Sequence, residues 1–388
     1  AAAPAADAEA APAADAAAGP PPSTRVHAVP TLPRSVSPGL VAVVGAGCGG
    51  APDDAPQTLP RLQKLARILD CTNIDLDALK DASWVGLPSS YRPLVWKLMM
   101  GYLPTNMERR KGVLEKKRQE YAAWKRQYFN KMIANEAERS REQYAQIHID
   151  VPRTSPTVPL FQLERIHLSL ERVLCIWDIR HPASGYVQGM NDLVTPFFTV
   201  FLSENLGLSE RETSSLACID HVSEEVLEEV EADSYWCFSK LLDGLHDHYI
   251  PSQPGIQRTI LKMRELIHRV DQPLLQHLES QGVDFGLFAF RWINCLLIRE
   301  VHLPLVIRMW DTYLAQDGNS FAEFHVYVCT SFLITFSKKL MMMEFQDVLL
   351  FLQNPPTTKW GDKDIEMLLS RAYMYMCWFQ NSPHHLGS

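Results

Sequence analysis

Paired cysteines are missing from this chain. Its eight cysteines (Cys48, Cys71, Cys175, Cys218, Cys237, Cys295, Cys329 and Cys377) are scattered, and no Cys-x-x-Cys spacing occurs. That argues against a disulfide framework and for a reducing, cytosolic setting. Cys175, Cys295 and Cys329 lie inside apolar segments, as buried free thiols commonly do. No run reaches the ~18 uncharged apolar residues that a membrane-spanning helix needs. A basic excess is also absent: 37 Lys and Arg stand against 45 Asp and Glu, a net charge of −8. With a pI near 5.9, this argues against nucleic acid, which wants a basic domain. The first residues carry neither a basic start nor an apolar core, so no secretory signal is expected. They also lack an initiator methionine, so the natural start is expected to lie upstream.

Hydrophobic residues make up 46% and charged residues 21% of the 388, which fits a soluble globular core holding either two average domains or one large helical one. Residues 1–57 are an Ala/Pro-rich, low-complexity stretch with almost no aromatic residue. Such a stretch buries too little apolar area to offset its ordering entropy and reads as a disordered tail. Ser35 and Ser37, beside Arg34 and Pro38, leave room in it for a short partner-binding motif.

From residue 58 the texture changes. Leu62, Leu65, Ile68 and Leu69 predict a short helix, and Asp75 or Asp77 suits the cap of the next. Gly86-Leu87-Pro88 breaks the chain, Ser89 or Ser90 offers a cap, and Pro93 suits a first turn leading into Trp96 and Leu98. Residues 108–142 are charged and helical in propensity. Their cluster Arg109, Arg110, Lys111, Lys116, Lys117 and Arg118 reads as a solvated face relieved by Glu115 and Glu120, with attraction to anionic lipid or an acidic partner as the alternative. Leu163, Ile166, Leu170, Val173, Leu174 and Trp177 fall on one side of a helix of roughly five turns. Leu193–Leu202 reads as a buried helix with Pro196 early in it, and residues 210–233 as an acidic helix. Helical spacing continues through residues 256–270, 285–299, 304–313, 321–336, 341–352 and 360–379. No segment alternates with period two over six residues. The expectation is all-α: one domain over residues 58–380, with an N-terminal half at about 80–235, a C-terminal half at about 236–380, and a tail at 381–388.

Two side chains invite a chemical reading. Arg153 follows Pro152 and precedes Thr154-Ser155-Pro156, which predicts an extended loop. An arginine on a stiff exposed loop suits bidentate contact with phosphate or carboxylate, although on the residues alone a surface salt bridge, for instance with Asp150, carries most of the weight. Gln188 lies between Gly185 and Gly189, which permit unusual backbone angles, and its amide offers a donor and an acceptor to water. A capping or core hydrogen bond is its plainer role. The two loops are tied to opposite ends of the helix containing Leu170.

Taken together these stretches resemble the TBC (Tre-2/Bub2/Cdc16) domain of Rab GTPase-activating proteins. An IxxDxxR motif stands as Ile147, Asp150 and Arg153, and a YxQGM motif as Tyr186-Val187-Gln188-Gly189-Met190. The family's entry pattern matches Gly86-Leu87-Pro88, Arg92 and Val95-Trp96, and Arg291-Trp292-Ile293, Arg299-Glu300 and Arg308-Met309-Trp310-Asp311 are similar to its second half. The wording around Ile147–Asp150 and His181–Tyr186 looks similar to TBC domain family member 22. The resemblance covers roughly residues 80–380. It implies that Arg153 is an arginine finger and Gln188 a glutamine finger, both offered in trans to a GTP-bound Rab. It further implies that Asp150 positions the arginine, Tyr186 and Gly189 shape the glutamine's turn beside Met190, and Arg92 supports the catalytic loops. GTP and Mg²⁺ would come with the partner, so no cofactor of its own is expected. A non-catalytic Rab-binding scaffold or adaptor of the same fold is the alternative. The expected location is cytoplasmic, peripheral on Golgi, vesicle or other Rab-bearing membranes, with adaptors recruited through the tail.

Other patterns carry less. His246 and His248 are two apart with no third ligand near, which reads as a solvated helix end and not a metal site. Ser214 and Ser215 lack a hydrolase's glycine elbow. Gly45-Ala46-Gly47-Cys48-Gly49-Gly50 has no downstream unit of the kind a dinucleotide fingerprint needs.

Overall fold

The computed structural model describes residues 58–134, 142–316 and 320–380. The expected tails at 1–57 and 381–388 lie outside the described residues. Among the described residues there is no β-strand, only an isolated antiparallel bridge between Asn73 and Asn106. Several of the helices begin where short polar side chains take orphan N–H groups. Asp75 accepts from the backbone of Asp77 and Ala78. Asn106 accepts from Arg109, and Ser209 and Glu212 close a reciprocal capping box.

At the centre lies the helix Met190–Leu206, whose residues 190–203 are all buried. A helix that is apolar on every side must be covered on every side, and it is. The helices Glu164–Arg180, Glu224–Gly244, Arg92–Met99, Glu210–Ser214 and Leu303–Leu314 all pack against it. Pro196 cannot donate to Asp192 O, one turn back; the Thr195 hydroxyl takes that carbonyl instead, at 2.8 Å. A second group of helices follows, in which Ser320–Thr335 packs on Asp362–Phe379 and on Pro254–Val270.

The basic cluster is not simply a solvated face. The helix Met107–Trp124 packs along the acidic helix Glu224–Gly244. There Arg118 grips Asp233 through two bonds of 2.9 and 2.8 Å and pairs with Glu229 at 2.7 Å. Lys117 lies over the Trp236 ring. Arg110 is buried with its guanidinium on the carbonyls of Pro104 and Thr105. Arg109, Lys111 and Lys116 of the cluster do point into solvent, with Lys111 3.9 Å from Glu115 and Lys116 4.0 Å from Glu120 as expected, so within the cluster it is Arg118 that neutralises the acidic helix.

Other expectations are corrected in detail. The acidic helix is two helices, Glu210–Ser214 and Glu224–Gly244, because Ser209 and Ser223 each cap a separate start. Helical spacing over 285–299 holds only to Asn294. There Leu296 and Leu297 turn left-handed, at φ 50° and 60°, while both stay fully buried. The helix expected from residue 341 begins at Phe345. Neither Ser89 nor Ser90 caps the helix Arg92–Met99; Tyr91 holds that position without a side-chain bond, and Ser89 Oγ donates to Glu210. His248 is not solvated but buried, and burial depresses its imidazole below the usual range.

Candidate functional site

Arg153 does not sit in an extended loop. The helix Glu142–Asp150, which the periodicity did not reveal, runs directly into a 3₁₀ turn, Val151–Arg153. Ile147 and Val151, one helical turn apart, are both buried, and that burial outweighs the bias against helix before Pro152. Thr154 N closes the turn on Val151 O at 3.0 Å. The Arg153 side chain is left 61% exposed, with Nη2 donating to Asp150 Oδ1 at 2.6 Å and Nε to Ile149 O at 3.1 Å.

Asp150 itself is 2% exposed. Its second oxygen accepts from Gln146 Nε2 at 2.9 Å and from the Tyr186 hydroxyl at 3.0 Å. Burial and the neighbouring Asp150 carboxylate push the Tyr186 phenol far above its ordinary range, so it stays a donor.

The glutamine's turn hangs from the far end of the helix Glu164–Arg180, where Asp178 Oδ1 accepts from Tyr186 N at 2.7 Å. Gly185 and Gly189 take φ of 65° and 105°. At Gly189 glycine is required twice over, by the backbone angle and by space: a Cβ there would lie 2.4 Å from Asn294 Nδ2. That same Nδ2 donates to Gln188 O at 3.0 Å. Met190 is fully buried, with its sulfur toward Val187 N at 3.4 Å. The Gln188 side chain is exposed, and among the described residues its carboxamide takes no hydrogen bond.

The helix Glu164–Arg180 is roughly 26 Å long, so turns left at its two ends could not touch. They meet because the helix Glu142–Asp150 doubles back along it, with His148 Nδ1 at 2.7 Å from Glu171. Ile147, Asp150, Arg153, Tyr186, Gln188, Gly189 and Met190 thus share one region. Arg92 stands apart. Its guanidinium binds Asp311 at 3.0 Å, Glu210 and the Leu87 carbonyl, while Leu87 N and Trp96 Nε1 donate to Asp311 at 2.8 and 2.7 Å. It clamps the Gly86-Leu87-Pro88 break onto the helix Leu303–Leu314. Its path to the arginine's turn is indirect, through Glu210–Ser214 and the 3₁₀ turn Pro159–Gln162, which pack together; Gln162 Nε2 then donates to Thr154 O at 3.3 Å.

With these motifs placed, comparison with known proteins is decisive. Residues 89–341 match the sequence profile of the Rab-GTPase-TBC domain. This chain belongs to that family. It is 49% identical over 328 residues to the GTPase-activating protein gyp1 of Schizosaccharomyces pombe, covering 84% of this TBC chain and 63% of that protein. It is 44% identical over 362 residues to TBC1 domain family member 22B of Homo sapiens, covering 93% and 70%. The crystal structure of the Ypt/Rab-GAP domain of Gyp1p superposes with a TM-score of 0.78 at 44% identity, over 84% of this chain and 100% of that one. The chain thus spans between 63% and 70% of these two relatives' length.

Several residues of this TBC site carry no reading from sequence. Asn191, Thr154, Gln146 and Asp178 are close in the chain to the motifs, but nothing local marks them. Asn294 lies 106 residues from the glutamine it holds. Buried Asp192, whose carboxyl burial raises while Arg299 opposes, pairs with Arg299 at 2.7 Å beside the same turn.

Proposed function

We propose that the protein accelerates GTP hydrolysis by a Rab-family GTPase, supplying Arg153 and Gln188 in trans to a nucleotide site completed by the partner's GTP and Mg²⁺. The observation that carries this reading is the shared carboxylate of Asp150. One oxygen holds the Arg153 guanidinium and the other holds Tyr186, two residues before Gln188, while both finger side chains remain exposed. The arginine would neutralise charge developing between the β- and γ-phosphates. The glutamine would orient the attacking water in place of the Rab's own. Asp150, Tyr186, Gly189 and Met190 would position the two turns, and Arg92 would hold the scaffold behind them.

Magnitudes support the assignment. An arginine finger acting on Ras is worth ~10³ to 10⁵ in rate, or about 4 to 7 kcal/mol of barrier. Arg153 meets the buried Asp150 from the solvent side, its own side chain 61% exposed against 3% for the aspartate, so the guanidinium is free to swing from that contact to a phosphate. No nucleotide or metal of its own is needed for this chemistry. No helix among the described residues is long and apolar enough to cross a membrane; encounter with membranes would run through the Rab and through adaptors bound to residues 1–57.

The test is hydrolysis by a panel of GTP-loaded Rabs with wild type, Arg153→Ala, Arg153→Lys and Gln188→Ala. Stimulation by wild type and its loss in Arg153→Ala are expected, and lysine fails because it lacks the planar fork. Undiminished stimulation by Arg153→Ala refutes the assignment. Binding of a GTP-loaded Rab without any stimulation by wild type means a scaffold instead.

A further inference from the structure

We infer that Asn191 is a positioning residue that sets the spacing between the turn carrying Arg153 and the turn carrying Gln188, a role that rests on the two-finger reading above. Asn191 is 2% exposed and is the second residue of the helix Met190–Leu206. Its carboxamide lies between the two turns and is used at both ends. Nδ2 donates to Thr154 Oγ1 at 2.9 Å, on the residue after Arg153. Oδ1 accepts from Gly189 N at 3.1 Å, on the residue after Gln188, with the Tyr186 hydroxyl 3.2 Å away.

The polarity of this crosspiece is imposed from outside. Gly189 N–H can only donate, so an acceptor must face it. Thr154 Oγ1 spends its hydrogen on Asp150 O at 3.2 Å, so a donor must face it. A neutral amide meets both demands. An aspartate would oppose two oxygens and add a charge beside the buried carboxylates of Asp150 and Asp192.

The crosspiece is also independent of where the finger points. When Arg153 leaves Asp150 for a phosphate, the contact through that guanidinium is lost, whereas the bonds of Asn191 to Thr154 and Gly189 are untouched. The distance between the two backbones is therefore held through the step in which it matters. A displacement near 1 Å can cost about 10² in rate, so this spacing bears on turnover and not on docking.

The experiment is single-turnover hydrolysis by a responsive Rab with wild type, Asn191→Ala, Asn191→Asp, Thr154→Val and Thr154→Ser. Beside it run the affinity for the same Rab loaded with a non-hydrolysable GTP analogue, amide exchange at Gly189, and thermal unfolding. Asn191→Ala, Asn191→Asp and Thr154→Val should lower the limiting rate about 10²-fold, with KM and analogue affinity unchanged. Thr154→Ser should recover most of what Thr154→Val loses, and the Gly189 amide should exchange faster in Asn191→Ala. A wild-type limiting rate in Asn191→Ala and Thr154→Val overturns the role, and so does a loss of affinity and rate together with a lowered melting point. A wild-type chain that stimulates no Rab overturns the two-finger reading itself, whereas equal stimulation by wild type and Asn191→Ala overturns only the part played by Asn191.

Discussion

The Tyr186 hydroxyl donates to Asp150 Oδ2 at 3.0 Å across a separation of 36 residues. Through this bond one buried carboxylate serves both turns of the site. Tyr186→Phe keeps the ring and deletes the bond, leaving that oxygen to Gln146 alone. The loss in stability should be near 1 kcal/mol, that of one buried hydrogen bond. The stimulated rate should fall by between about tenfold and a hundredfold. Denaturant unfolding read beside single-turnover hydrolysis separates the two, and an unchanged rate would show that the bond does not position the site.

Gly189→Ala tests the glutamine's turn from its backbone. A φ of 105° is strained for alanine, and the new methyl would meet Asn294 Nδ2, which cannot yield without releasing Gln188 O. A cost of about 1 to 3 kcal/mol is expected, together with loss of stimulation while Rab binding persists. Full activity would mean that the turn tolerates rearrangement.

Arg92→Met leaves Asp311 and Glu210 buried without their cation. Breaking such a network from one side costs about 3 to 5 kcal/mol. Arg92→Lys should recover only part, since lysine cannot reach Asp311, Glu210 and Leu87 O with one planar group. The measurement is the unfolding midpoint, and a midpoint equal to wild type would remove Arg92 from the scaffold.

Asp233 predicts the response to acid. Burial alone would raise its carboxyl, but the Lys97 ammonium and Arg118 guanidinium outweigh it and hold the pKa at about 2. Because this lies below the unfolded value of roughly 3.9, the stabilisation is present above about pH 4 and is lost as pH falls through about 2. The contribution is on the order of 2 kcal/mol. The stability gap between wild type and Asp233→Asn should therefore shrink on acidification through that window. A gap independent of pH would show that Asp233 is not held ionised by its partners.

The helices and their buried faces were legible locally: Leu163 to Trp177 and Leu193 to Leu202 show the period of a buried helix, and Gly185 and Gly189 announce an unusual turn. Resemblance brought Arg153 and Gln188 forward together. What misled was also local. Pro152 suggested an extended loop, where burial of Ile147 and Val151 continued the helix instead; Leu296 and Leu297 kept a helical pattern through a left-handed turn.

By itself, then, the sequence determined the all-α class, the fully buried central helix, and the two candidate fingers with their flanking glycines. Only the tertiary structure decided that Asp150 joins Tyr186, that Asn191 spans Thr154 and Gly189, that Asn294 holds Gln188, and that Arg118 is spent on Asp233. The reason is physical. Hydrophobic periodicity reports one face of one helix over a few turns. A hydrogen bond between residues 36 or 106 positions apart depends on how those faces stack, and nothing in the spacing of apolar residues records that.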